Sequence, residues 1–311
     1  MPSLRTLRGC VAVLALLAAE PAEATDAYIT SRSANVVEIV DTTTNTIVAT
    51  LPTGATPVGV GARPDGHEVW IANAGSNNVT VIRPWTRTVV ATFPVCAQPF
   101  AVAFLPDSTR AYVSCKGANN VAVVDTATRV VVTTLPTMQQ PTHLAVDRSG
   151  TRLAAGSEGI DGSYRVFDTA TNASIVSHWG TYPVRGIAID DTHSLMYVAS
   201  TTWVYMAVTD TWSANGGVPL AAITAIANEY NTRTWFVTRA EVPTPVLEIR
   251  DSYLGTFVAS VPIGGDPVSV DYAQDTRRLY VVDGTSGLLR VFDRDSLAPV
   301  FPNSDDNGCL P

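Results

Sequence analysis

The chain has 311 residues, 46% hydrophobic and 15% charged, with a formal net charge of −8. That composition excludes a disordered, solvating chain. The acidic balance argues against the basic footprint of a nucleic-acid binder, and 20 Pro and 21 Gly beside abundant Val and Thr point to strands and turns.

The first element is an address. Arg5 and Arg8 precede an apolar run over 11–19, and Ala22-Glu23-Ala24 follows. A basic start, a short apolar core and an A-x-A site predict a secretory signal peptide, residues 1–24, cleaved after Ala24. The run is too short for a stop-transfer helix, and Cys10 has no apolar stretch before it, so it is not read as a lipid-anchor cysteine. Cleavage removes Arg5, Arg8, Glu20 and Glu23 and leaves the charge at −8. No later stretch is a transmembrane candidate. The expected product is exported, periplasmic or extracellular, without a membrane span.

From Tyr28 onward four lines recur at one phase. Strands ending on a turn residue reach Asp41, Arg83, Asp125, Asp168, Asp210, Arg250 and Asp293, in steps of 40 to 43 residues. A Pro opens an apolar strand at Pro57, Pro99, Pro141, Pro183 and Pro267, with Ala222 in that place in the fifth copy. Short apolar strands begin at Tyr28, Trp70, Tyr112, Leu153, Tyr197, Phe236 and Tyr280. A VATL-type strand follows at Val48, Val90 and Val132, with weaker copies later. Turn chemistry separates the runs: Pro64-Asp65-Gly66 and Pro106-Asp107-Ser108, and Asp-Thr pairs at Asp41, Asp125 and Asp168 whose carboxylates can bond backbone two residues on. A repeat of this length is read as a repeat architecture before anything else. Four antiparallel strands per unit make one propeller blade, and seven copies predict an all-β, seven-bladed β-propeller over residues 25–302. No 3.6-residue period supports a helical solenoid.

The succession YVSC, VAVVDTAT, VVTTLPT, PTHLAV resembles the YVTN-repeat β-propeller family over roughly residues 28 to 302. The resemblance implies a disc with a central channel. It also implies a family that includes exported binding and surface-layer proteins, with lactonases and electron-transfer subunits among related propellers. The chain enters at Tyr28 on a second strand, so the first blade is expected to lack a full innermost strand. Residues 303–311 read as a polar tail whose Gly308-Cys309-Leu310-Pro311 begins that strand and stops. An open innermost edge is a pairing liability.

Catalytic motifs are missing: no nucleophile elbow, HExxH, phosphate loop or C-x-x-C-H haem site. His67, His143, His178 and His193 fall in different blades without ligand spacing, so no metal site is expected. Asn303–Gly308 imitates half a calcium loop without its closing Glu. Glu158 and Asp161 share a long loop as solvated carboxylates, and Trp70, Trp203 and Trp235 read as packing. No catalytic residue and no cofactor is assigned.

The last residues of the second strands should form one rim: Ser31, Asn73, Cys115, Gly156, Ser200, Arg239 and Asp283. Loops entering the innermost strands bring His143 and Arg185 to the same face. Loops on a rigid scaffold carry function, so His143, Arg185, Arg239 and Asp283 are expected to line a polar mouth, with Arg239 and Asp283 near each other. Cys96, before Pro99, and Cys115, at the end of the adjacent strand, reach the same edge and are expected to form a disulfide, leaving Cys309 unpaired. The reading is an exported binding or scaffold protein for a small polar ligand or an exported protein partner. The alternatives are a lactonase-like hydrolase and a partner subunit of a periplasmic redox complex.

Overall fold

Val-, Ile- and aromatic-rich runs separated by Asp-, Asn- and Gly-containing turns form antiparallel hairpins throughout the chain. The computed structural model describes residues 14–17 and 26–300, except positions 45, 138, 160–162, 179, 181, 191–193, 210–212, 230–233, 241–243, 252–254, 274–275 and 285–288. Asp161, His193, Cys10, Cys309 and the tail 303–311 lie outside the described residues. Among those described, the one helical element is a 3-10 turn, Pro84–Thr86.

The strands make seven sheets, six of four strands and one of three, each in chain order. This is the seven-bladed propeller. In six blades the first strands, Pro57–Ala62, Pro99–Phe104, Pro141–Val146, Val184–Asp190, Ile223–Glu229 and Pro267–Ala273, stand nearest the axis. They approach closely: a Cβ added at Gly59 would lie 2.1 Å from the Phe100 carbonyl oxygen on the next first strand. In the first blade only Leu14–Leu17 pairs with Asp26–Ile29, so a four-residue strand from the expected leader stands in the innermost place. In the seventh, an isolated bridge between Phe292 and Pro299 stands where a fourth strand would run.

Apolar clusters sit between consecutive blades, as radial packing requires. Tyr28, Trp70, Tyr112, Tyr197, Phe236 and Tyr280 occupy one register position in their blades, and all are fully buried. In the fourth blade this position falls to Ala154, not Leu153. The ring closes between blades seven and one through Tyr280, Val282, Leu289 and Val291 packed with Ala27, Ile29 and Val40. Arg278 also donates to the Thr42 carbonyl across that seam.

The register corrects two further alignments. Val184 faces Ser200 and Ile223 faces Arg239, as Pro57 faces Asn73 and Pro99 faces Cys115. Val184 and Ile223 therefore open their strands, not Pro183 and Ala222. Ala222 instead takes the left-handed conformation that Thr56, Gln98 and Gln140 take just before their prolines. For the same reason Ser157, opposite Pro141, holds the rim position assigned to Gly156. A one-residue slip would turn every side chain to the other face, so the ladder overrides spacing.

Two devices fix the turns. Asn35, Asn77 and Asn119 adopt positive φ, and their side-chain carbonyls accept the Thr56, Gln98 and Gln140 backbone N–H, each 21 residues on. Asn tolerates this conformation better than most residues, so one side chain both makes the hairpin turn and pins the entry to the next blade. Asp41, Asp125, Asp168 and Asp293 accept from turn N–H and hydroxyl groups two or three residues on. Those hydrogen bonds hold their carboxyls below the usual range.

Candidate functional site: a polar mouth on blades three to five

The face where the second strands end gathers loops from consecutive blades. Lys116 follows the second strand of blade three, Arg110–Cys115, and Glu158 follows that of blade four, Arg152–Ser157. Arg185 is the second residue of the first strand of blade five. Lys116 Nζ lies 3.0 Å from Glu158 Oε2, and Arg185 Nη1 lies 2.9 Å from Glu158 Oε1. One carboxylate is thus shared by two cations, an arrangement with net positive charge. All three side chains keep solvent contact, 27%, 31% and 36% exposed for Lys116, Glu158 and Arg185, so they remain accessible to a ligand. The Phe100 ring lies 5.1 Å beneath the Lys116 ammonium. Next to Lys116, Cys115 is joined to Cys96 in a disulfide with Cα atoms 5.8 Å apart, tying the blade-three loop to its second strand.

His143, third in the first strand of blade four, stands beside this cluster, its Nδ1 2.9 Å from the Thr142 hydroxyl. Burial pushes its pKa down to about 4; the Glu158 charge opposes that shift, while Arg185 and Lys116 reinforce it. The ring is neutral at ordinary pH and can donate or accept. Burial alone would raise Glu158, but the Lys116 hydrogen bond and the charges of Lys116 and Arg185 hold it below the usual carboxylate range. The cluster can accept an anionic or polar group on its cations, with Glu158 as an internal competitor.

Of the four residues expected at the mouth, His143 and Arg185 meet here. Arg239 and Asp283 are held on blades six and seven. Arg239 pairs with Glu248, which also binds Arg250 at 2.7 Å, and it donates to the Ala221 carbonyl. Asp283 lies 3.4 Å from Arg290 and accepts the Asp266 backbone N–H. Each ion pair lies within its own blade, six or seven. The sequence reading gives Lys116 no role and Glu158 only that of a solvated loop carboxylate. The signal was available: the residues just after the second strands are Arg32, Ala74, Lys116, Glu158, Thr201, Ala240 and Gly284, and two of the three charged ones meet here.

Of the described histidines off this site, His67 pairs with Asp65 at 3.2 Å, and His178 stacks on Tyr164 at 5.0 Å. His178 holds the register place of the inward Leu51, Phe93 and Leu135. Trp70 and Trp235 are fully buried, as packing residues should be, while Trp203 is 37% exposed and stacked on Tyr205. Among the described residues no group of His, Cys, Asp and Glu has metal-ligating geometry.

Fold and mouth together define a seven-bladed β-propeller with a mixed-charge opening on one face. A solved structure with the same fold is Kuenenia stuttgartiensis hydrazine synthase, with TM-score 0.79 and 19% identity over 88% of this chain and 93% of that one. No protein-family model matches the chain, and no curated protein does. Among the described residues no helix is long and apolar enough to cross a membrane.

Proposed function

We propose that the chain is an exported β-propeller of the YVTN-repeat kind that binds a small polar ligand, or a partner's acidic loop, at this mouth. The observation that carries the reading is the meeting of Lys116, Glu158 and Arg185 from three blades beside neutral His143. Loops on a rigid scaffold are where such folds place recognition. The Cys96–Cys115 disulfide suits an oxidising compartment, in keeping with a cleaved leader over residues 1–24. Arg239 and Asp283 then serve as supports of the neighbouring rim.

A second reading is a subunit that docks on an enzyme of a periplasmic redox complex. It is favoured by the extent of the overlap with the hydrazine synthase chain. Thermal-shift screening against pools of small carboxylates and phosphates, beside capture from the source's exported fraction, separates the two. A stabilising anion supports the first; a stoichiometric protein partner lost on Lys116→Ala/Arg185→Ala supports docking at the same face. Neither response, with the double variant still folded, overturns both.

A further inference from the structure

Deeper in the ring, the first strands of blades two to seven line an open cavity of about 400 Å³. Six residues at one register level line it: Gly61, Ala103, Ala145, Ala188, Ala227 and Asp271, each opposite the buried second-strand position Trp70, Tyr112, Ala154, Tyr197, Phe236 or Tyr280. Five blades place hydrogen or methyl at this level and the seventh places a carboxylate. The other lining side chains are apolar apart from Asn228 and the phenol-bearing Tyr272.

We infer that this cavity binds a small organic monocation, an ammonium carrying an aliphatic body, with Asp271 as its counter-ion. The Asp271 carboxylate accepts the Tyr272 backbone N–H at 2.8 Å and has no cationic partner among the described residues. A carboxylate without a cationic partner is stabilised by an entering positive charge. Calcium or magnesium needs several oxygen ligands, and Asp271 is the one carboxylate among the lining residues. An alkylammonium needs one counter-charge and sets its own carbon against the partly exposed Leu144 and Ile187. The inference is independent of the mouth, because the cavity is walled by the later halves of the first strands.

Protons compete for the same carboxylate. Burial raises Asp271 to about 7, against the pull of its backbone hydrogen bond. The ionisable groups on the packed elements are accounted for elsewhere. Tyr272 donates to Glu229 at 2.9 Å and is raised to about 12. Glu229 is bound by Arg294 at 2.8 Å, with Arg277 at 3.9 Å. Tyr280, on the adjacent strand, is raised by burial, and the sequence of Leu14–Leu17 contains no ionisable residue. Ligand binding should therefore weaken as pH falls through 7.

The test is calorimetric titration of the purified chain, its N-terminus read by mass spectrometry, with butylammonium chloride, and with 1-butanol, sodium chloride and calcium chloride as controls. Butylammonium should bind at pH 8, about tenfold more weakly at pH 6, and at least tenfold more weakly to Asp271→Asn at pH 8; butanol should not bind. Equal binding by Asp271→Asn, equal binding of butanol, Asp271-dependent binding of sodium or calcium without butylammonium, or no binding by the wild-type chain would each overturn the assignment. An unchanged melting profile for Asp271→Glu, with butylammonium binding retained, guards against a folding artefact.

Discussion

Two titratable side chains on first strands, His143 and Asp271, have opposite consequences for stability. His143 has a folded pKa below its unfolded one, so its contribution is complete above about 6.5 and is lost as pH falls toward about 4. Asp271 has a folded pKa above its unfolded one, so the native state binds the extra proton and stability falls as pH rises from about 4 to about 7. Asp271→Asn should therefore raise the melting temperature at pH 8, with the gain shrinking toward pH 5. His143→Gln should flatten the loss on the acid side of pH 6.5 and leave the alkaline side unchanged. Melting curves across pH 4–8 check both; matched slopes in wild type and variants would contradict them. The turn asparagines act through geometry instead. Asn119 holds φ +56° and caps Gln140 at 2.9 Å. Asn119→Ala should cost about 2 kcal/mol by loss of the bond and left-handed strain, while Asn119→Gly keeps the conformation and should cost less. Urea unfolding of the pair separates the bond from the strain.

At the scale of elements, strands were legible and their exact phase was not. Alternation and turn residues reveal each hairpin, but Pro183 and Ala222 misled because a constant step from proline to proline ignores the uneven spacing of the rim partners Ser157, Ser200 and Arg239, which Pro141, Val184 and Ile223 face. The Cys96–Cys115 bridge was legible because both residues end at one sheet edge. Its loss through Cys96→Ala/Cys115→Ala should lower stability by about 3 kcal/mol for a closed loop of this length, read as a shifted denaturation midpoint. The first blade carries a sharper test. Leu14–Leu17 pairs with Asp26–Ile29, and cleavage after Ala24 would vacate that place. In a chain beginning at Thr25, amide exchange over Asp26–Ser31 should speed up relative to the full chain, while Arg110–Cys115 stays protected. Equal protection in both chains would show that another segment, such as the 303–311 tail, fills the slot.

For the whole molecule, a 42-residue period is enough to read seven blades, because each blade buries its faces only against the next and so repeats its pattern. The mouth is less legible because it is built from departures from that pattern. Lys116, Glu158 and Arg185 belong to three different repeats, and their meeting depends on ring curvature that no linear spacing encodes. Arg239 and Asp283 share the rim position but are held by Glu248 and Arg290 on adjacent strands of their own blades. The three mouth side chains are partly exposed, and such ion pairs contribute only about 0–1 kcal/mol each, so they can be removed without loss of the fold. Native mass spectrometry of the protein recovered from its own exported fraction reads any bound small molecule or partner directly. Wild-type chain should carry a defined additional mass, and Lys116→Ala/Arg185→Ala, with an unchanged melting temperature, should lose it; a bare wild-type chain, or the same mass at the same occupancy on the variant, would contradict a binding role for this mouth.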